Sequence, residues 1–150
     1  MKPVRPDDQL SPHFVRSELW CPCGCNGIPR PPTIFALEIV RSQCGNRPIV
    51  PTSGFRCPDY NTTIRYCTDC QLNSRLIFCE LCGHTTVQRS AKNSQHTRGN
   101  AVDFRVDCMT PQQVARVVER HVPAFASGGI GIYRSFIHCD IGPGPRRWAG

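Results

Sequence analysis

Two Cys-x-x-Cys pairs constrain this chain more than any other feature. Cys67-Thr-Asp-Cys70 and Cys79-Glu-Leu-Cys82 lie one short loop apart, a spacing at which four thiolates wrap one zinc ion tetrahedrally and leave no coordination position open. Gly83 follows the second pair and suits a tight knuckle turn, and His84 offers a substitute ligand. The surrounding stretch, 64–93, is polar and has no regular apolar period. A loop of roughly 30 residues without a core of its own is uncommon in a compact domain, and a bound metal supplies the missing core. We expect 64–93 to be an inserted zinc-ribbon-like subdomain, with a structural zinc at Cys67, Cys70, Cys79 and Cys82.

The cysteine count, eleven, is high and odd. The start, Met-Lys-Pro-Val-Arg-Pro-Asp-Asp, has a basic residue but no apolar h-region, and no hydrophobic stretch reaches the length of a membrane span. The expectation is synthesis in a reducing cytoplasm without a signal peptide and without membrane insertion, which favours metal over a disulfide framework. Cys21, Cys23 and Cys25 are too close in sequence for all to pair locally; with Cys57 they can clip the amino-terminal loop to the Ser53-Gly-Phe-Arg56 turn, by metal or by disulfide. Cys44, Cys108 and Cys139 are expected as small buried apolar residues. No Cys/His pair sits in a nucleophile setting, so cysteine-protease chemistry has no support.

With 150 residues, 39% of them apolar, the chain fits one domain around one core. Fourteen prolines and twelve glycines point to a loop-rich α+β protein rather than a helical bundle. Residues 1–20 read as an extended lead-in. Pro31-Pro-Thr33 reads as a helix start with Thr33 as N-cap, and Gly45 as its stop. A short strand opens at Ile49-Val50 and ends in Thr52-Ser-Gly-Phe-Arg56. Ala101 to Val106 alternates cleanly, with Val102, Phe104 and Val106 on one face and Ala101, Asp103 and Arg105 on the other. Thr110-Pro-Gln-Gln113 reads as a helix start with Pro at N1 and a capping box, followed by an apolar stripe of Val114, Val117, Val118 and Val122. Strands are expected around 130–133 and 136–141, and the tail from Gly142 to Trp148 is turn-rich.

Two of these strands carry the chemistry. Ser94-Gln-His96-Thr-Arg-Gly99 precedes the strand that presents Asp103. In Phe136-Ile-His-Cys-Asp140, Ile137 and Cys139 face the core, so His138 and Asp140 share the other face. If the strands are neighbours, His96, Asp103 and His138 converge. Two imidazoles and a carboxylate leave a fourth position open on zinc, the ligand count of a catalytic site, where the metal lowers the pKa of a bound water.

The ordered set S-x-H-x-x-G-x-A-x-D and a late H-x-D resembles the zinc D-Ala-D-Ala carboxypeptidases and related peptidoglycan endopeptidases, above all small phage and bacterial members. Leu10-Ser-Pro-His-Phe14, Ser17-Glu18, Cys21-Pro-Cys-Gly-Cys25, Ser53-Gly-Phe-Arg56-Cys-Pro, Gly128-Gly-Ile-Gly-Ile-Tyr133 and Trp148 match too, so the resemblance spans nearly all of the chain except 64–93. It implies a small antiparallel sheet with flanking helices, hedgehog/DD-peptidase-like, in a single metallopeptidase domain over 1–150. It implies a catalytic zinc on His96, Asp103 and His138, so that two zinc ions are expected in all. Arg56 matches an arginine that binds a substrate carboxylate, work suited to its planar fork of donors. One departure stands out: where many relatives place an acidic general base a few residues before the last histidine, this chain has Arg134 and Ser135. Asp140, about 6–7 Å along the strand from His138, is the candidate base; the alternative is that it orients a ligand histidine.

The expected function is therefore zinc-dependent hydrolysis of peptide bonds in peptidoglycan stem peptides, as a carboxypeptidase or an endopeptidase, by a monomer that reaches the wall through phage-type release. The net charge of +7 suits an anionic wall. A binding or virion module that keeps the fold without turnover is the first alternative, supported by the missing upstream carboxylate. A nucleic-acid-binding ribbon is the second; its footprint, Arg65, Arg75, Arg89 and Lys92 with Tyr66 and Phe78, is thin.

Overall fold

The computed structural model describes residues 8–150; the first seven residues, and with them the signal-peptide expectation, lie outside these. The elements in chain order are α1 (Arg16–Leu19), α2 (Pro31–Gln43), β1 (Ile49–Ser53), α3 (Pro58–Thr62), β2 (Arg65–Cys67), β3 (Leu72–Ser74), β4 (Val87–Gln88), β5 (Ala101–Val106), α4 (Pro111–His121), α5 (Pro123–Ala126), β6 (Gly129–Ile132), β7 (Ile137–Asp140) and β8 (Arg146–Ala149). A 3-10 turn, Gln95–Arg98, precedes β5. The α+β class is as expected.

Five strands form the main sheet in the order β1-β5-β7-β6-β8. The pairs β1–β5, β5–β7 and β6–β7 are antiparallel, but β8 runs parallel to β6. The sheet is thus mixed rather than purely antiparallel, and the turn-rich tail ends in a strand that the sequence reading did not include. Its turn signal is real but shorter: Gly142 to Pro145 reverses the chain, and Arg146 N then bonds Gly128 O at 3.0 Å to start the pairing. β1 is an edge strand, which tolerates Pro51 in a ladder. A register irregularity between Pro51 and Ser53 brings Ser53 opposite Asp103.

Helices α2, α4 and α5 cover one face of this sheet. Val102, Phe104, Ile137 and Cys139 point into that layer and are fully buried, packed with Leu37, Val40, Val118 and Phe125. Burial of this apolar face is the main stabilising term, at about 25 cal/mol per Å² removed from water. α4 begins as its sequence dictates. Thr110 accepts from Gln113 N, and the Gln113 side chain accepts from Thr110 N, a reciprocal cap worth about 1 kcal/mol. α2 differs from expectation. Its N-cap is Arg30, because Pro31 is already helical, and Thr33 lies inside the first turn. There its hydroxyl donates to Gly99 O at 2.9 Å and anchors the loop after His96. The lead-in also holds a short helix, α1, whose buried Leu19 seats it on the core. Cys44 and Cys139 are buried as expected; Cys108 is exposed, in a turn with φ of 56°.

Residues 64–93, the expected insertion, hold a second, three-stranded antiparallel sheet in the order β3-β2-β4. Among the described residues, no helix is long and apolar enough to cross a membrane.

Candidate metal centre

The face of the main sheet away from the helices carries the polar cluster, and strand register builds it. Asp103 on β5 pairs directly with His138 on β7. Continuing across the sheet, His138 pairs with Gly131 and Gly131 with Trp148, while Ser53 stands on the other side of Asp103. One row thus runs Ser53, Asp103, His138, Gly131, Trp148. The next row runs Ala101, Asp140, Gly129, Arg146. In β6 the two glycines occupy the site face and Ile130 the core face, so both rows have a gap in the middle. Large neighbours fill it. A Cβ on Gly131 would lie 2.4 Å from the Trp148 ring, and one on Gly129 would lie 2.2 Å from Asp140 Oδ2. Trp148 leans through the gap to within 5.1 Å of the His138 ring, centroid to centroid, and Arg146 reaches Asp140.

His96 arrives from the 3-10 turn, whose N-cap Ser94 accepts from His96 N at 3.3 Å. The turn is tied to the Ser53–Arg56 segment twice. Arg56 N donates to His96 O at 3.3 Å, and His96 Nδ1 donates to Gly54 O at 2.7 Å. That second bond places the ring proton on Nδ1 and leaves a lone pair on Nε2, aimed at the cluster.

His96 Nε2, Asp103 Oδ1 and His138 Nδ1 form a near-regular triangle: 3.2 Å from His96 to Asp103, 3.2 Å from His96 to His138, and 2.8 Å from His138 to Asp103. His138 Nε2 donates to Asp140 Oδ2 at 2.9 Å, so its inward nitrogen also carries a lone pair. Two lone pairs and an anionic oxygen therefore face one another, an arrangement that repels unless a cation or protons occupy it. Donors of a tetrahedral zinc at bond lengths of about 2.0–2.1 Å are separated by about 3.3 Å, and the three edges are close to that value. Where protons rather than a cation fill the triangle, burial disfavours the ionised form of Asp103, yet the charge of His96 and hydrogen bonds from His138 and His96 outweigh it and hold the carboxyl well below its usual range. The donor set fits a zinc ion with an open fourth position.

Asp140 is brought to His138 but not to the open side of the triangle. It touches Nε2, the ring nitrogen that does not face Asp103 and His96, and it is fully buried. Its Oδ1 accepts from Gly129 N at 3.1 Å, from Gly142 N at 2.8 Å and from Arg146. Burial pushes its pKa up, but these hydrogen bonds, led by His138, bring it down to about 2. A place behind His138 is the one the orienting alternative requires. Arg56 donates from Nε to Ser53 Oγ at 2.9 Å and from an Nη to Asp103 Oδ2 at 3.1 Å; the sequence did not reveal this tie to a ligand carboxylate.

An open cleft of about 980 Å³ lies over the cluster. Arg56, Tyr60 and Tyr133 line it from the main body, and Arg75, Glu80 and Arg89 from the insertion. Tyr133 is fixed by stacking on Phe136 at 4.4 Å and by Trp148 Nε1, which donates to its hydroxyl at 2.9 Å.

The four cysteines of the insertion also meet. Cys67 and Cys82 sulfurs are 3.6 Å apart and Cys70 and Cys79 3.8 Å, all four within 4.8 Å. Zinc–sulfur bonds of about 2.3 Å give tetrahedron edges of about 3.8 Å. Backbone amides of Cys82 and Leu81 bring the Cys79 thiol down to about 7, whereas the Cys82 thiol pushes Cys70 up to about 12. Four thiolates cannot share one place without a cation to offset them. His84 instead pairs with Asp69 at 2.8 Å.

Residues 84–140 match the family model of peptidase M15. The chain is 40% identical over 62 residues to a protein of Haemophilus influenzae described as a probable peptidoglycan L,D-endopeptidase, MepK; the match covers 40% of this chain and 31% of that protein, so the chain spans about a third of the relative it matches. No solved structure matches. The family match covers the segment that carries His96, Asp103 and His138, and the resemblance to the zinc peptidases that include the peptidoglycan endopeptidases is borne out.

Proposed function

We propose that this chain is a zinc peptidase that cleaves peptide bonds in peptidoglycan stem peptides. The observation that carries the reading is the triangle of His96 Nε2, Asp103 Oδ1 and His138 Nδ1, with both histidines turned lone-pair-inward by partners behind them. A zinc ion held there supplies Lewis acidity and a hydroxide-like nucleophile at neutral pH. Asp140 is a positioning residue: it fixes the tautomer and orientation of His138, and Arg146 and two backbone amides hold it in place. Arg56 orients Asp103 and keeps further guanidinium donors for a substrate carboxylate. Stem peptides bear free carboxylates, and Arg56, Arg75 and Arg89 line the cleft. The description of the Haemophilus influenzae relative favours an endopeptidase over a carboxypeptidase.

The insertion at 64–93 is proposed as a ribbon closed by a second, structural zinc on Cys67, Cys70, Cys79 and Cys82. Its residues Asn73, Ser74, Arg75, Leu76 and Glu80 line the cleft, so it forms one wall of the substrate site.

Mass spectrometry of defined muropeptides incubated with zinc-loaded protein tests the peptidase reading. Wild type should release a peptide fragment, and His138→Ala should release none. The position of Asp140 behind His138 favours one rival, a zinc-binding module without turnover. Zinc bound at His96, Asp103 and His138, with no product from any muropeptide, would establish that rival.

A further inference from the structure

Four cysteines outside both zinc groups meet behind the Ser53–Arg56 segment. Cys21, Cys23 and Cys25 come from one loop, and Cys57 is the N-cap of α3. Their sulfurs all lie within 4.8 Å of one another, with Cys21 and Cys23 3.3 Å apart and Cys23 and Cys57 3.5 Å apart. We propose that Cys21, Cys23, Cys25 and Cys57 hold a third metal ion, a closed tetrathiolate zinc that fastens the amino-terminal loop to the turn carrying Arg56.

Three observations carry the proposal. The first is spacing: the sulfurs approach the edge of about 3.8 Å expected of a tetrahedral zinc–thiolate site and resemble the 3.6 and 3.8 Å of the paired Cys-x-x-Cys group. The second is the local backbone. Cys21 and Cys25 form a Cys-x3-Cys pair, within the usual range for zinc loops. Gly24, between Cys23 and Cys25, has φ of 85°, a value that favours glycine. It folds the loop back with Gly24 N donating to Cys21 O at 3.2 Å and Cys21 N donating to Gly27 O at 2.9 Å. The third is amide donation to sulfur. Cys57 N donates to Cys21 Sγ at 3.3 Å and Tyr60 N to Cys57 Sγ at 3.4 Å, as Cys70 N does to Cys67 Sγ at 3.4 Å in the insertion. Such donors stabilise thiolates. Cys23 Sγ stands 3.3 Å from Cys21 Sγ and 3.5 Å from Cys57 Sγ, well beyond the disulfide bond of about 2.05 Å and near both partners at once, as a shared ion requires.

The site has a structural consequence. Cys57 directly follows Arg56, and Phe55 N donates to Leu19 O at 2.9 Å, two residues before Cys21. Pro22, inside the cysteine loop, lines the cleft beside Arg56. The ion would therefore set the position of Arg56 from behind, without touching the His/Asp/His cluster. The proposal stands apart from the peptidase reading.

The test is native mass spectrometry of the whole chain, purified reduced and loaded with zinc, with alkylation mapped by peptide. Wild type should carry three zinc ions. Cys23→Ser/Cys25→Ser, which alters exposed positions, should carry one fewer, whereas His138→Ala and Cys70→Ser each remove a different ion. In zinc-loaded wild type, Cys21, Cys23, Cys25 and Cys57 should resist iodoacetamide and become reactive after chelation. That measurement decides the matter even if the double variant does not fold. An unchanged zinc count in the folded double variant, equal alkylation with and without zinc, or a disulfide among the four in the loaded protein overturns the proposal.

Discussion

His138 stands between two carboxylates, with Asp103 Oδ1 2.8 Å from its Nδ1 and Asp140 Oδ2 2.9 Å from its Nε2. The inner carboxylate belongs to the candidate metal cluster and the outer one holds the ring. Asp140→Asn keeps the shape but removes the charge behind the imidazole. Partners of this kind are worth about 10–100-fold in metal affinity. Chelator competition should show a loss of that size at the His/Asp/His centre, and turnover should recover when zinc is saturating. Unchanged affinity with lost turnover at saturating zinc would make Asp140 a participant in proton transfer instead.

The same residue gives a pH signature in the metal-free protein. The folded pKa of Asp140 is depressed, from the model-compound value of 3.8 to about 2, so its stabilisation is present above the unfolded value and lost as pH falls through the folded one. It amounts to on the order of 2 kcal/mol at neutral pH. Urea unfolding of wild type and Asp140→Asn should therefore give a stability gap that narrows as pH falls from about 4 to 2, and that also shrinks as pH rises through the raised His138 pKa, which Asp140 helps to raise.

Arg56 joins the metal centre to the cleft. Arg56→Lys keeps one positive charge but loses the planar fork that serves Ser53 Oγ and Asp103 Oδ2 together. A charged hydrogen bond contributes about 1.5–3 kcal/mol, so KM should rise roughly tenfold or more while the zinc count is unchanged. A variant with normal KM would remove Arg56 from substrate binding.

Much of this arrangement was legible before the fold was known, for a physical reason. A strand with one polar face repeats every two residues, so Val102, Phe104 and Val106 declared the core, and Asp103, His138 and Asp140 fell on the opposite face. Pairing register is a long-range property, and nothing in either strand states that Asp103 lies opposite His138. The side of His138 on which Asp140 sits depends on a rotamer fixed by Gly129 N, Gly142 N and Arg146, three groups scattered in sequence. β8 was hidden because Gly142-Pro-Gly-Pro dominates the local signal, while its partner β6 is antiparallel to β7 and reached only by a parallel return. Thr33, a good N-cap by type, lies inside the helix because Pro31, itself a good first helical residue, starts it earlier.

The insertion is expected to depend on its own metal. The apolar side chains Leu76, Ile77, Phe78 and Leu81 are all at least half exposed, so they provide little core; the zinc proposed at Cys67, Cys70, Cys79 and Cys82 would supply what they do not. Cys70→Ser should abolish amide protection in 64–93 by hydrogen exchange and leave β5 and β7 protected. Because Arg75 and Glu80 then leave the cleft wall, KM for muropeptides should change more than zinc affinity at the His/Asp/His centre. Protection of 64–93 that survives the substitution would show that the segment folds without its metal.

Gly131 is where sheet geometry and metal site meet. It separates His138 from Trp148 in the row across β7, β6 and β8, and its missing side chain is the space the indole occupies. Gly131→Ala places a methyl 2.4–2.7 Å from three atoms of the Trp148 ring, and none of them is the end of a flexible chain. The ring must move, and overpacking of this kind costs about 1–3 kcal/mol. It should also break the Trp148 Nε1 bond to Tyr133 and lift the indole from His138. Trp148 fluorescence should shift to the red as the ring gains water, and turnover should fall with Tyr133 released into the cleft. The nearest atoms to the methyl all belong to Trp148 rather than to His96, Asp103 or His138, so zinc should still bind at the centre. A variant that kept wild-type emission and activity would mean that Trp148 and Tyr133 form no part of the working site.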